Sequence, residues 1–529
     1  MKRKLLVLPA LLGTFAPILA GCGASGTGSS GGKAIVIGST ATIAVSKDTP
    51  APLDPATSYD SDTWNIFFNT FQMLLRYPRS GTTPEPDAAK SCRFTDKQSE
   101  TYRCQLRSGL TFSNGHTLNA EAVKYSVDRM IKIQSDTGPA SLLSGVQKVE
   151  TSGDEVIFHL KSPDATFPFK LATPAAAIVD PAVYPADKPY PGLKIVASGP
   201  YKLDSFTASD AVFSANTSYH GDVSRNNSKI EMKFFNDSAV MEKAIAAGTI
   251  DVIAGAGVLK PSQINELQNG KYKNVNLSQT SGTETRLLFF NTAEPAVKPK
   301  AVRVAITQIL DRAALVRDVF QRTKEPLYSV VPQGITGHNN AFYNLYGEAN
   351  PAAAAKTLQN AGITSPVKFT YAYRTSAGAS ASEEALWLQK SLNNTGLFDV
   401  SIKEVPYSSF LGDALAGKFT VYGLGWIPDF PDPDNYIAPF FSDNFLKLPY
   451  ENSVIKSSLL PSTRQKSSRP STSSDFEKMQ NLIAQDLPVI PLWQSKQYIA
   501  ARDDITGVEW TLNSTSTVQF WELGKGVTS

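Results

Sequence analysis

The residues best placed to do chemistry lie at 423–440, GLGWIPDFPDPDNYIAPF. The run at 420–424 reads as a strand that delivers Trp426, Asp429, Asp432 and Asp434 into a loop. Pro428, Pro431 and Pro433 stiffen that loop by fixing φ. A carboxylate held in a desolvated cleft binds a primary amine through a charge-assisted hydrogen bond. Gly425 has no side chain to keep a ligand backbone away. A strand edge at this point offers main-chain partners to an extended ligand by β-augmentation. Trp426 reads equally as core packing or as a flat wall for a side-chain pocket, and Asp432 and Asp434 read as solvated acids of a turn. A ligand carboxylate calls for an arginine. Arg374 follows a strand expected at 367–373 and opens the loop 374–382, although a loop arginine is ordinarily only solvated. Tyr407, in the loop after a strand at 400–405, is a second polar candidate.

Other chemistries find little support. The four histidines, His116, His159, His220 and His338, have no zinc-pair spacing and no nucleophile context. There is no phosphate-cradling glycine loop. Gly28-Ser29-Ser30-Gly31-Gly32 matches the hydrolase nucleophile pattern formally, but no strand precedes it and no helix follows. No enzyme activity, metal or cofactor is therefore expected.

The composition is that of a globular protein: 529 residues, 42% hydrophobic and 19% charged. The net charge of +3 comes from Lys2, Arg3 and Lys4; without the first 21 residues, 48 basic residues face 48 acidic ones. That balance argues against a nucleic-acid partner. The same three cations precede an apolar stretch at 5–18, too short and too interrupted by Pro9 and Pro17 for a comfortable membrane span. Leu19-Ala20-Gly21-Cys22 follows and resembles a bacterial lipobox. The resemblance implies a signal peptide at 1–21 and lipidation of Cys22, anchoring the chain to the outer face of the cell membrane. The Gly- and Ser-rich stretch 22–32 is a flexible tether. Of the three cysteines, Cys92 and Cys104 remain. Strands at 91–94 and 102–106, folded as a hairpin about Gln98, bring them opposite each other, near disulfide reach. Two free thiols are the alternative.

The elements that must position these residues alternate along the chain. Short strands are expected at 34–37 and 42–45, a helix at 62–75, and a helix at 120–131 capped by Asn119. Further strands and helices follow in turn, among them a helix at 312–320 capped by Asp311 and an amphipathic helix at 476–485. The alternation predicts α/β lobes with mostly parallel sheets. The Ser-, Pro- and Thr-rich stretch 457–474 reads as a surface loop.

Four blocks in order resemble the extracellular solute-binding proteins of the peptide, opine and nickel transporter class, family 5. Residues 101–129, TYRCQLRSGLTFSNGHTLNAEAVKYSVDR, look like the family's strand, turn and helix. Residues 197–203, ASGPYKL, look like its GTGPYkl turn. Residues 287–311 look like its strand and helix ending in an Asp-Arg cap, and 423–440 like its gw.aDypDPdnfl segment. Two departures stand out: Ala122 follows Glu121 where the family has an aspartate, and Lys298-Pro299-Lys300 replaces an acidic turn.

The resemblance implies a bilobal periplasmic-binding-protein-like type II fold with an extra inserted lobe. Lobe I would be discontinuous at 33–75, 198–288 and 488–529, the insert 76–197 and lobe II 289–487, with hinge crossings near Asn291 and Leu487. It implies capture of dipeptides or oligopeptides by lobe closure, in a monomer that serves the permease subunits of an ABC importer and reaches the ATPase only through them. In peptide-binding relatives the acid three residues after the tryptophan, here Asp429, takes the ligand amine. Dipeptide-binding relatives keep an arginine in the loop where Arg374 stands. The loop 53–59 resembles the family's first cleft loop. A nickel chelate, haem or an oligosaccharide on the same fold, or a surface lipoprotein with no transport role, are the alternatives.

Overall fold

The computed structural model describes residues 33–39, 51–255, 257–374, 380–512 and 514–526, and the side chains of all of these except 407 and 408. The signal peptide, Cys22, the tether and the expected strand at 42–45 lie outside the described residues.

Two long strands organise the chain. Val275–Phe290 and Val489–Arg502 run antiparallel, and their register breaks between Ser281 and Thr285. On one side of the break, residues 275–281 pair with 496–502, and Val489–Arg502 pairs onward with Val252–Ile253. The sheet there continues through Ile35–Ser39, Lys229–Phe234, Asp210–Ala215 and Tyr201–Phe206. On the other side, residues 285–290 pair with Val421–Trp426, and the sheet continues through Val367–Arg374 to Phe398–Val405. The fold is therefore bilobal α/β, with one apolar core built around Ile35, Phe67, Phe213 and Phe520 and another around Phe289, Ile306, Tyr422 and Ile490.

The sheet is mixed, which corrects the expectation of mostly parallel strands. Ile35–Ser39 pairs in parallel with two neighbours, and so does Val367–Arg374. The hairpin at 201–215 is antiparallel because the chain returns directly, and the long strands and their partners are antiparallel too, although most of a lobe lies between them in the chain.

The inserted lobe carries its own antiparallel sheet, in the order Ala89–Phe94, Thr101–Leu106, Glu155–Leu160, Val146–Ser152. Cys92 stands in register with Cys104, Phe94 with Tyr102, and the two cysteines form a disulfide. Helix Ala120–Ile133 covers this sheet, with the Asn119 side chain accepting from the Ala122 amide. The first helix is shorter than its periodicity predicts. It spans Ser61–Thr70, is capped by Asp60, and stops where Phe71 turns to extended backbone.

One buried ion pair ties the insert to the loop that precedes this helix. The Asp54 carboxylate, fully buried, accepts from both terminal nitrogens of Arg129 at 2.9 and 2.5 Å, and from the Ala56 and Tyr190 amides at 2.9 and 2.6 Å. Asp54→Asn leaves a buried guanidinium short of its counter-charge and is expected to cost about 3–5 kcal/mol of stability. Urea unfolding checks this; a loss below about 1 kcal/mol would show that the pair does not anchor the loop.

Candidate functional site

The site forms where strand Val421–Trp426 ends. Val421 and Tyr422 pair with Val367–Arg374 on one side. From Gly423 to Trp426 the strand is paired only with residues 285–288, so no described strand covers its other edge. The chain then turns through Pro428 and enters helix Asp434–Phe441.

Asn435 closes that turn with three hydrogen bonds. Its side chain accepts from the Asp429 amide at 2.8 Å and donates to Asp429 Oδ2 at 3.0 Å, and its carbonyl accepts from Trp426 Nε1 at 2.7 Å. Trp426 also packs edge-on against Phe440, ring centroids 5.0 Å apart. It is thus both packed on the second core and part of the cleft wall.

Asp432 and Asp434 are not solvated, a correction to the sequence reading. Each is buried and held by a two-pronged arginine: Arg469 on Asp432 at 2.7 and 2.8 Å, Arg464 on Asp434 at 2.9 and 3.0 Å. Both arginines come from the stretch expected to be a surface loop. That stretch instead folds into Leu460–Arg464 and Arg469–Thr472 and packs onto the second core. The desolvation of two carboxylates is what draws it in.

Asp429 faces the opposite lobe. Its Oδ1 accepts from the Tyr59 hydroxyl at 2.5 Å. Desolvation pushes the Asp429 carboxyl above the ordinary aspartate range, against the pull of the bonds from Tyr59 and Asn435. Although Tyr59 is 40% exposed, desolvation at the cleft and the Asp429 charge push its hydroxyl well above its usual value, so it remains a donor.

These groups line a cavity of about 680 Å³ between the lobes, whose wall also includes Lys170, Phe430, Asp443 and Arg464. A second cavity of about 280 Å³ adjoins it and shares Arg374, Gly425 and Ile427. Arg374 ends its strand at the junction of the two. A Cβ on Gly425 would stand 2.9 Å from Glu284 Oε1, so the close approach that this glycine permits is to a carboxylate of the neighbouring strand. Tyr407 opens helix Tyr407–Leu415 rather than lying in a loop, and its side chain is outside the described ones. Three histidines have partners elsewhere: His116 with Asp180, His159 with Glu150, and His338 with the Val331 carbonyl. Sequence reasoning placed Tyr59 in the first cleft loop without a side-chain role, and missed Asn435 and Arg464.

The profile described as bacterial extracellular solute-binding proteins, family 5 Middle, matches residues 83–446. The chain is similar to the "Probable D,D-dipeptide-binding periplasmic protein DdpA" of Escherichia coli (strain K12), 25% identical, covering 87% of this chain and 89% of that one. It is 23% identical to the oligopeptide-binding protein OppA of Bacillus subtilis (strain 168), over 93% and 94% of the two chains. Among solved structures, the periplasmic binding protein DppA from Helicobacter pylori, in complex with the peptide STSA, superposes with a TM-score of 0.77 at 20% identity, covering 93% and 98%.

The raised Asp429 value has a consequence for stability. A carboxyl that binds its proton more readily in the folded state contributes stability that is full below the unfolded aspartate range and is lost as pH rises through the raised folded value. At neutral pH its charge is a burden on the ligand-free protein. Asp429→Asn removes that burden and can keep both neighbours, its oxygen accepting from Asn435 and its amide donating to Tyr59. The variant is expected to be more stable than the parent at neutral pH, with the difference shrinking as pH falls toward the aspartate range. Urea unfolding at both pH values checks this; an Asn variant less stable at neutral pH would contradict it.

Proposed function

The chain belongs to the bacterial extracellular solute-binding proteins of family 5, and on that premise we propose that it captures short peptides outside the cell by lobe closure and delivers them to the permease subunits of an ABC importer. The observation that carries this reading is the Asp429 carboxylate. It is desolvated, lies on the wall of the interlobe cavity, and takes a hydroxyl donor from the opposite lobe. Tyr59 occupies one lone-pair site of that carboxylate, where the α-ammonium of a peptide would supply a charged donor.

Two further features support an extended ligand. The edge from Gly423 to Trp426 offers main-chain groups on its unpaired side. Arg374, at the junction of the cavities, supplies a guanidinium for a carboxylate farther along. Gly425 and Trp426 form the wall between them. Closure turns about the register break between Ser281 and Thr285 rather than near Asn291 and Leu487, so that residues 285–290 and 489–493 move with the second lobe. The relatives named above carry peptide-binding names, which favours a peptide over a chelate or a sugar. The chain is held at the outer face of the cell membrane by acyl chains on Cys22, and no described helix is long and apolar enough to cross a membrane.

Asp429→Asn is expected to weaken peptide binding by about 3–5 kcal/mol, since one side of a buried charge pair is lost. Titration calorimetry with a panel of di- to tetrapeptides measures it, and unchanged affinities would end the proposal for Asp429. Cys22→Ala is expected to shift the protein from the membrane fraction to the soluble one in a bacterial host; continued membrane retention would rule out the acyl anchor.

A further inference from the structure

The turn after strand Val421–Trp426 belongs to the second lobe, yet one of its side chains is packed elsewhere. Phe430 is 1% exposed and lies in the first apolar core, together with the insert, rather than in the second. Its ring centroid is 6.0 Å from that of Phe169. Phe169 sits in the short helix Phe167–Lys170 of the insert, where its carbonyl accepts from the Tyr77 hydroxyl at 2.9 Å. On its own side Phe430 is fixed by the arginine-held turn. Its carbonyl accepts from the Asp432 amide at 2.9 Å, and Arg469 grips Asp432.

Two hydrogen bonds join the insert to the second lobe nearby. The Ala165 amide donates to the Arg464 carbonyl at 2.7 Å, and the Ser99 hydroxyl donates to the Gln465 carbonyl at 3.3 Å. The Asp164 amide donates to the Ser99 carbonyl at 3.0 Å, so the two insert donors are tied together. All these contacts run from protein group to protein group, and none requires a ligand. Opening the cleft would carry Phe430 into water, and exposing a buried phenylalanine shifts an equilibrium by about tenfold or more. The hydrogen bonds add less, since water takes their place on opening.

We propose that Phe430 is a clasp, which holds the second lobe against the insert whether or not the cavity is filled. The empty protein is then mostly closed and admits its ligand through transient opening. This inference rests on the lobe closure of the reading above, but not on the ligand being a peptide. Phe430 follows Asp429 directly, so the same clasp sets the position from which Asp429 meets Tyr59. Phe430 is thus a positioning residue for Asp429. A ligand that enters only through an open minority associates more slowly in proportion to that minority.

Phe430 also lines the larger cavity, so affinity alone would not separate clasping from ligand contact. The test is therefore made on the full mature chain without ligand, by small-angle X-ray scattering and by hydrogen exchange of the segment that holds Ala165. The parent is expected to scatter as the compact form and to protect the Ala165 amide. Phe430→Ala is expected to have a larger radius of gyration and exchange at Ala165 at least about tenfold faster. Its association with di- to tetrapeptides, followed by stopped flow, should be faster by a similar factor. Ser99→Gly suits the left-handed φ of 61° at that position and removes only the hydroxyl. It should speed exchange at Ala165 by a smaller factor, and it tests the clasp even if Phe430→Ala does not fold. A ligand-free parent whose scattering demands an open form overturns the proposal. So does Phe430→Ala as compact and as protected as the parent. A compact, protected parent that binds no peptide keeps the clasp and ends the peptide reading alone.

Discussion

The antiparallel pairing of Val275–Phe290 with Val489–Arg502 is the constraint from which the cleft follows. Each strand belongs to both lobes, so the lobes share a sheet path and stay in one register. The wider break in that pairing lies between Ser281 and Thr285, with a second register shift between Arg286 and Leu287. Gly282 lies inside that break, where a Cβ would stand 2.2 Å from Ser495 Oγ and 2.7 Å from its carbonyl. The two backbones come that close only because the residue is glycine. On either side the strands are sealed into separate apolar cores, and the space between the lobes is the cavity described above.

The cavity wall is held in place by charges that pair with one another, Asp434 and Arg464 from within the wall itself and Asp432 and Arg469 from behind it. Asp432 and Asp434 bury two carboxylates, and the arginines they recruit pin the residues between strand Val421–Trp426 and helix Asp434–Phe441. With that loop fixed, Asn435 can hold Asp429 and Trp426 in set positions. The order of roles is physically sensible. A charge with a two-pronged partner of its own is stable as it stands, whereas among the described residues Asp429 accepts side-chain hydrogen bonds from the neutral Tyr59 and Asn435, and desolvation outweighs these and the attraction of Lys170.

Much of this was legible in the sequence where the signal is local. The hairpin register that joins Cys92 to Cys104 follows from alternation about Gln98, and the caps Asn119 and Asp311 follow from residue type and position. Asp429 was legible only through the resemblance of 423–440 to a family block. The rest depends on partners far along the chain. Asp432 and Arg469 are 37 residues apart, Tyr59 and Asp429 are 370 apart, and no periodicity connects them. A Pro-Asp-Pro-Asp run has the same composition whether it is solvated or buried, and the Ser-rich composition of 457–474 concealed two arginines that are core anchors. The alternation of strands and helices suggested parallel sheets because it does not reveal which strands, far apart in the chain, lie side by side or in which direction they run.

The central claim is that Asp429 binds a positively charged amine, and the most direct measurement is the affinity of one peptide before and after acetylation of its amino terminus. Acetylation removes the charge and two donors and leaves the rest of the ligand intact. The account predicts that the free peptide binds and that the acetylated one is weakened by about 3 kcal/mol or more, the cost of leaving a desolvated carboxylate unpaired. Equal affinity of the two forms would place the ligand amine away from Asp429 and contradict the account.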